Sequence, residues 1–136
     1  MPRRWLFKTE PHEYSYSDLE QEKKTVWDGV ANNLALKNLR EVRLGDEVLI
    51  YHSAEEKAIV GIAEAVSDAY PDPQDVDDKV VVVNLKPKRR LSRPLTLAEI
   101  KAIDELSDFD LVRLPRLSVM PVSPEQWQIL QDTLKH

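Results

Sequence analysis

Short apolar runs alternate with amphipathic segments along this chain, and the pattern predicts a small domain that mixes strands and helices. Residues 5–8 form the first apolar run and predict a first strand. Residues 47–52 and 58–66 predict two more strands, and Gly61 within the second marks a bulge or a close approach of another segment. Residues 80–85 are strongly β-forming, so we expect a strand that is buried on both faces.

Helix starts are marked by capping residues. The predicted caps are Ser15 or Ser17, Asn32 or Asn33, Thr96, and Ser123. Thr96 and Ser123 are each followed three residues later by a Glu or a Gln, which is the spacing of a capping box. Pro94 is expected to open a linker before the third helix, and residues 117–120 to form a last strand that Pro121 ends. Short strands interrupted by helices predict an α+β fold built on a small barrel with mixed connections.

Length and composition are those of one ordinary domain. Hydrophobic residues make up 42% and charged residues 32% of the 136 positions, so residues 1–136 are predicted to form a single domain with a real core. The absence of cysteine excludes disulfides and thiolate metal sites. No apolar run approaches the roughly 20 residues of a membrane span, and the first residues do not resemble a signal peptide, so we expect a cytoplasmic protein without membrane contacts. The sequence does not fix the oligomeric state, and a monomer is favoured.

Charge is unevenly distributed along the chain. The formal net charge of -5 argues against a protein that coats nucleic acid nonspecifically, because phosphate contacts need clustered cations. Residues 86–93 nevertheless read KPKRRLSR, and this run either contacts phosphates or forms a solvated strand edge. The candidate phosphate contacts are Lys88, Arg89, Arg90 and Arg93.

No set of residues predicts catalysis or metal binding. His52 precedes Ser53, but neighbouring strand residues point to opposite faces, which is poor geometry for a Ser–His pair. With no partner evident, His52 is more often a structural histidine than a proton carrier. An acidic loop lacks the central glycine and closing glutamate of a calcium site, so its aspartates are expected to be solvated; they are Asp72, Asp75, Asp77 and Asp78. We therefore expect no metal, no cofactor and no enzyme.

Two segments combine aromatic rings with hydrogen-bonding groups. Residues 27–32 read WDGVAN and are expected to lie on a loop, where the glycine lets the backbone approach a ligand. Trp27 is either a core indole or a stacking surface, and Asn32 either caps a helix or reads the edge of a heterocycle. Residues 51–53 read YHS where a strand ends, and Tyr70 is either a turn residue or a second ring beside a ligand.

These residues belong to a longer series that resembles the EVE domain family, in order and over nearly the whole chain. The matching segments are WLFKTEP at 5–11, YS at 14–15, DL at 18–19, WDGV at 27–30 with Asn32, GD at 45–46, YHS at 51–53, IVGIAE at 59–64, AYPD at 69–72 and RLSVMP at 116–121. The family is similar in fold to PUA and YTH domains. The resemblance therefore implies a small bent β-barrel of about five to six mostly antiparallel strands with helices around it.

The resemblance also implies a function, which is noncatalytic binding of a modified nucleobase that is extruded from DNA or RNA. The base would be a methylated or oxidised cytosine, or a methylated adenine. The implied pocket residues, with Asp28 and His52 beside them, are Lys8, Trp27, Gly29, Val30, Asn32, Tyr51, Ser53, Tyr70, Arg116, Leu117 and Ser118. One alternative is a pocket for a free planar metabolite or nucleoside, which the net acidity favours slightly. Another is an enzyme acting on modified bases, with His52 or Asp28 as its base.

Overall fold

One mixed sheet forms the body of the protein in a computed structural model that describes residues 2–75 and 79–134. Its strands are β1 (Arg4–Thr9), β2 (Thr25–Trp27), β3 (Glu47–His52), β4 (Ala58–Ala65), β5 (Tyr70–Pro71), β6 (Val81–Thr96) and β7 (Val119–Val122). The sheet curls into a half-barrel with the order β2-β6-β4-β3-β1-β7, and β5 pairs with β6 off this path. The β1–β3 pair is parallel and the other pairs are antiparallel. The bent, mostly antiparallel barrel that the resemblance implied is confirmed.

Helices pack around this sheet, and four of them begin at predicted caps. They are α1 (Tyr16–Glu22), α2 (Asn33–Leu39), α3 (Leu97–Lys101), α4 (Asp110–Arg113) and α5 (Pro124–Leu134), with a 3-10 turn at Asp104–Leu106. The side chains of Ser15, Asn32, Thr96 and Ser123 accept hydrogen bonds from backbone N–H groups in the first turns, which confirms these caps. Among the described residues, no helix has the length and apolar character needed to cross a membrane.

Two prolines lie inside strands, although Pro94 was expected to open a linker and Pro121 to end a strand. Strand β6 continues through Pro94, which falls in an irregular stretch between Arg90 and Leu95 where the register with β4 shifts. Strand β7 continues through Pro121, which pairs with Trp5 at the end of the strand order. A proline has no N–H to donate, so bulges and edge strands tolerate it. The strand predicted at residues 80–85 therefore continues to Thr96, and the strand predicted at 117–120 is observed at Val119–Val122.

A buried carboxylate ties the start of β1 to the turn before β3. Asp46 is 4% exposed. Its oxygens accept hydrogen bonds from the indole N–H of Trp5 at 2.9 Å and from the backbone N–H groups of Arg3 and Arg43 at 3.0 Å each. Because a buried charge is costly unless it is hydrogen-bonded, these three donors make the position tolerable.

Tyr16 fixes the first helix against the barrel. Its side chain is fully buried, and its hydroxyl donates to the Ile62 carbonyl oxygen at 2.8 Å. Its backbone N–H donates to Nε2 of His52 at 3.0 Å. The ring lies against Gly61 so closely that a Cβ at that position would be 2.5 Å from the ring. The prediction that Gly61 marks a close approach is confirmed.

We expect the substitution Gly61→Ala to destabilise the fold by at least about 2 kcal/mol, because the added methyl group overlaps a buried ring that cannot move freely. Urea denaturation of the variant and the unsubstituted chain measures this difference in the free energy of unfolding.

The double variant Gly61→Ala/Tyr16→Leu isolates the cause. Removing the ring relieves the overlap, so the double variant should lose less stability than the sum of the two single losses. Strictly additive losses would show that the glycine is needed for some other reason.

Candidate functional site

A cavity of about 570 Å³ lies where the two ends of the strand order approach each other. One side is the end of β1 with the loop that follows it, and the other is β2 with the loop that leads to α2. The lining residues are 8–10, 13–14, 25–31 and Ser118. Six of the residues proposed from the sequence lie here, namely Lys8, Trp27, Asp28, Gly29, Val30 and Ser118.

Trp27 forms an aromatic wall of this cavity from within a strand. It is the last residue of β2, pairs with Val83 of β6, and is 8% exposed. Its ring centroid lies 5.6 Å from that of Phe7 in a tilted arrangement and 6.0 Å from that of Tyr14 in an edge-to-face arrangement. The prediction that Trp27 lies on a loop is wrong, because β2 is a three-residue strand that forms through pairing with a distant segment.

Tyr14 lines the cavity beside Trp27, although the sequence reasoning gave it no role. Its carbonyl accepts the hydroxyl of Thr9 at 2.7 Å, which fixes the loop after β1. Its phenol donates to a carboxylate oxygen of Glu22. Burial and the Glu22 carboxylate raise the pKa of Tyr14 to about 12, so the phenol is a neutral group at physiological pH. Its only signal in the sequence was its place among the segments that resemble the family.

Three carboxylates and one ammonium group give the cavity its charge. Glu10, Glu13 and Asp28 line it, and none of the three has a side-chain hydrogen bond or ion pair within residues 2–75 and 79–134. The Lys8 ammonium donates to the Pro115 carbonyl at 2.8 Å, and burial lowers the pKa of this lysine. The cavity is therefore acidic, with Lys8 held at one wall. The sequence reasoning found Lys8 and Asp28 and missed Glu10 and Glu13.

The loop after Trp27 depends on a glycine for its shape. Gly29 has a φ of +77°, which is a left-handed conformation that other residues adopt only with strain. A Cβ at this position would meet nothing within 4 Å, so the constraint comes from the backbone and not from lack of space. Val30 follows it and is 7% exposed. Gly29 and Val30 thus shape the wall beside Trp27.

Other proposed pocket residues do not line the cavity. The Asn32 carboxamide oxygen accepts hydrogen bonds from the backbone N–H groups of Leu34 and Ala35 at the start of α2. Asn32 therefore caps this helix, which is one of the two roles that the sequence allowed. The Tyr70 hydroxyl donates to the Asn84 side chain at 2.7 Å. Both side chains are thus engaged in holding the fold.

The segment 51–53 also lies outside the cavity lining. Tyr51 is 3% exposed, and the Lys8 ammonium lies over its ring, with Nζ 5.7 Å from the ring centroid. Nε2 of His52 accepts an N–H, which places the proton of the neutral ring on Nδ1, 2.6 Å from a carboxylate oxygen of Glu56. The backbone N–H of Ser53 donates to the Thr9 carbonyl at 2.9 Å.

The last proposed segment contributes only Ser118 to the lining. Arg116 is exposed to solvent, and Leu117 is 4% exposed and belongs to the hydrophobic core. The neighbouring Ser118 carbonyl accepts the backbone N–H of Lys8 at 2.9 Å, which holds this segment against β1.

The basic run on β6 is largely neutralised by carboxylates. Lys88 pairs with Glu47 at 2.7 Å and Arg90 with Glu20 at 2.6 Å. Arg93 contacts both carboxylate oxygens of Glu99, at 3.0 and 2.9 Å. Arg89, also proposed as a phosphate contact, is exposed and borders a separate cavity of about 240 Å³.

The acidic loop is only partly described. Asp72 accepts the backbone N–H of Gln74, and Asp75 accepts those of Lys79 and Val80, as expected for turn residues. Asp77 and Asp78 lie outside the described residues. Within residues 2–75 and 79–134, no cluster of three or more His, Asp or Glu side chains is arranged to hold a metal ion.

Comparisons with known proteins agree with this geometry. A sequence model of the EVE domain matches residues 3–133. Human thymocyte nuclear protein 1 is 31% identical over 160 aligned residues, covering 93% of this chain and 71% of the human protein.

Two solved structures superpose closely on the chain. One is Rpa0253 from Rhodopseudomonas palustris, with 39% identity, 98% and 93% of the two chains covered, and a TM-score of 0.92. The other is human THYN1 in complex with DNA containing 5-methylcytosine, with 28% identity, 98% of each chain covered, and a TM-score of 0.89.

Replacing the carboxylate that holds Tyr14 should change the titration of the phenol. We expect Glu22→Gln to lower the pKa of Tyr14 from about 12 while leaving it above its ordinary value, because burial is the larger cause and persists. NMR titration of the tyrosine ring carbons, assigned with Tyr14→Phe, measures this shift, and Glu41→Gln controls for the loss of one charge.

The same shift sets an alkaline limit on stability. The unfolded phenol ionises near its ordinary pKa of about 10, whereas the folded one stays protonated to about 12. The contribution of Tyr14 is therefore complete below pH 10 and is lost as the pH rises from 10 to 12. In Glu22→Gln the pH range over which this contribution is lost should narrow. An unchanged range would contradict the conclusion that the Glu22 carboxylate helps to raise the pKa of Tyr14.

Proposed function

The chain belongs to the EVE domain family, and from that premise we propose that it binds DNA carrying a modified cytosine, with the modified base held in the cavity and left chemically unchanged. One observation carries the proposal. The aromatic, acid-lined cavity lies on a fold that superposes over 98% of its length on human THYN1, whose structure was solved with DNA containing 5-methylcytosine.

The size and walls of the cavity support a flat ligand. Its volume of about 570 Å³ falls within the range of small-molecule sites. A base reaches such a cavity by leaving its stack, at a cost of a few kcal/mol that is smallest for single strands and damaged pairs. Phe7 and Tyr14 cover much of the Trp27 ring, so contact of the base with this ring would give the lower part of the usual range of about 1–3 kcal/mol.

The carboxylates favour cytosine over thymine or uracil. Glu10, Glu13 and Asp28 line the cavity and accept hydrogen bonds when ionised. The exocyclic amino group of cytosine donates hydrogen bonds of this kind, whereas thymine and uracil present a carbonyl oxygen at the same position. A carboxylate facing that oxygen would be left without a partner.

Binding without catalysis is supported by the surroundings of His52. Both of its ring nitrogens are engaged, one by the Tyr16 N–H and the other by Glu56. A general base needs a free nitrogen or carboxylate within reach of its substrate. The described cavity lining holds carboxylates and no histidine, so an enzyme acting on modified bases would have to use Asp28, Glu10 or Glu13 as its base, while His52 is not available for that role.

A free nucleoside is the second candidate ligand, and the acidic lining favours it. A ligand without phosphates would avoid repulsion by the three carboxylates and by the net charge of -5. Salt titration separates the two candidates, because a nucleic acid strand binds more weakly as salt rises and a neutral ligand hardly responds.

We expect Trp27→Phe to remove most of the preference for modified cytosine over cytosine in otherwise identical oligonucleotides, because it replaces the larger ring that forms the cavity wall. Fluorescence anisotropy with DNA and RNA oligonucleotides, each containing one cytosine, one methylated or oxidised cytosine, or one methylated adenine, measures the preference.

Trp127→Phe is the matched control. Trp127 is 7% exposed, close to the 8% of Trp27, and it lies on α5 away from the cavity lining. The two variants should lose similar stability, and only Trp27→Phe should lose discrimination. If both variants discriminate equally between modified cytosine and cytosine, the proposed role of the cavity is wrong. If the chain binds the RNA oligonucleotides more tightly than the DNA oligonucleotides, RNA and not DNA is its partner.

A further inference from the structure

Most of the cations on β6 are already engaged, so a phosphate backbone would have to displace carboxylates to reach them. Charged N–O pairs of 2.6 to 3.5 Å join Lys86 to Glu64, Lys88 to Glu47, Arg90 to Glu20 and Arg93 to Glu99. Of the five cations on β6, only Arg89 has no such pair within the described residues, so further cations that can accept a phosphate without this loss must be sought elsewhere on the surface.

Two adjacent lysines meet this condition at one border of the cavity. Lys23 and Lys24 are exposed, directly precede Thr25 of the cavity lining, and have no ion pair within the described part of the chain. The two carboxylates nearest to them in the sequence are occupied. Glu20 pairs with Arg90, and Glu22 accepts the Tyr14 phenol.

The backbone at Lys23 adds a second observation. This residue ends α1 in a left-handed conformation with a φ of 67°, and its N–H donates to the Leu19 carbonyl. Glycine is the usual residue at such a position because it has no Cβ to strain. This conformation sets the direction in which the chain leaves α1, two positions before the lining residue Thr25.

Arg116, in the segment before β7, is a third cation that can accept a phosphate without losing an ion pair. It is exposed and has no ion pair among residues 2–75 and 79–134. It follows Pro115, whose carbonyl accepts the Lys8 ammonium, and it precedes the lining residue Ser118 by two positions. The hydrogen bond from Lys8 thus holds the backbone next to Arg116 close to the cavity.

We propose that Lys23, Lys24 and Arg116 bind the phosphates on either side of the nucleotide whose base enters the cavity. This inference rests on the proposed function. The carboxylates of Glu10, Glu13 and Asp28 in the cavity lining repel phosphate, whereas the three cations that adjoin the lining in the sequence attract it. The arrangement admits a base and keeps its backbone outside, which a nucleoside pocket would not require.

The triple variant Lys23→Gln/Lys24→Gln/Arg116→Gln tests the proposal. Each lost phosphate contact lowers the slope of log K against log salt by about 0.7 for a single strand and 0.9 for a duplex, so the total loss should be about 2–3. Binding at about 0.1 M salt should weaken on the order of a hundredfold. The preference for modified cytosine over cytosine should persist, because the cavity is unchanged.

A matched control separates position from net charge. Lys37→Gln/Lys57→Gln/Lys101→Gln also removes three cations, and it changes the net charge from -5 by -3 to -8, as the test variant does. All three are exposed without an ion pair in the described chain, Lys57 shares a left-handed backbone with Lys23, and none adjoins a lining residue in the sequence. This control should keep the salt slope of the unsubstituted chain.

The outcomes distinguish this inference from the function on which it rests. If the slope of log K against log salt falls equally in both triple variants, or in neither, the three cations do not bind the flanking phosphates. Base recognition by the cavity would not be affected by that result. Failure of the unsubstituted chain to bind any of the oligonucleotides would overturn both. Loss of the preference together with an unchanged slope would assign the three cations to the base and not to the backbone.

Discussion

The contact between the Tyr16 ring and Gly61 is the constraint on which the candidate site depends. The ring occupies space that any side chain at position 61 would fill, and two hydrogen bonds join the same residue to His52 on β3 and to Ile62 on β4. Helix α1 is thereby fixed on the barrel. The segments on either side of this helix carry Tyr14 and Trp27, so their edge-to-face contact is positioned by a helix that cannot shift independently of the sheet.

Charge is partitioned between the barrel surface and the cavity. On β6 four of the five cations form ion pairs with carboxylates from α1, β3, β4 and α3, and the exception is Arg89. At the cavity the opposite holds, since Glu10, Glu13 and Asp28 lack partners in the described chain. Exposed ion pairs contribute little to stability. The pairs matter here because they decide which charges stay available to a ligand.

Local features of the structure were predictable from the sequence, and features that depend on distant pairing were not. The caps Thr96 and Ser123 follow from residues three positions apart, so a capping box can be read directly. Strand β2 could not be found in this way, because only its pairing with residues 83–85 makes it a strand. The place of Trp27 was therefore misjudged, although its presence at the site was expected.

The same distinction applies to the candidate site. Residues 27–30 are contiguous in the sequence and stay together in the cavity, so the pattern revealed them. Glu10 and Glu13 line the cavity because the loop after β1 folds back, and the hydrogen bond from the Thr9 hydroxyl to the Tyr14 carbonyl holds it there. No pattern in the sequence indicates this hydrogen bond. Seven of the thirteen residues assigned to the pocket do not line this cavity, and four of the seven make contacts within the fold, namely Asn32, Tyr51, His52 and Tyr70.

The parallel pairing of β1 with β3 has a consequence for how such proteins can diverge. Parallel neighbours require a crossover connection, and here it is the stretch 10–46, which supplies every lining residue except Lys8, Thr9 and Ser118. The free energy of closing a loop rises slowly with its length. Insertions and exchanges in the loops of the crossover, outside Tyr16 and β2, can therefore remodel ligand choice while the paired strands stay unchanged, so these loops and the scaffold can evolve at different rates.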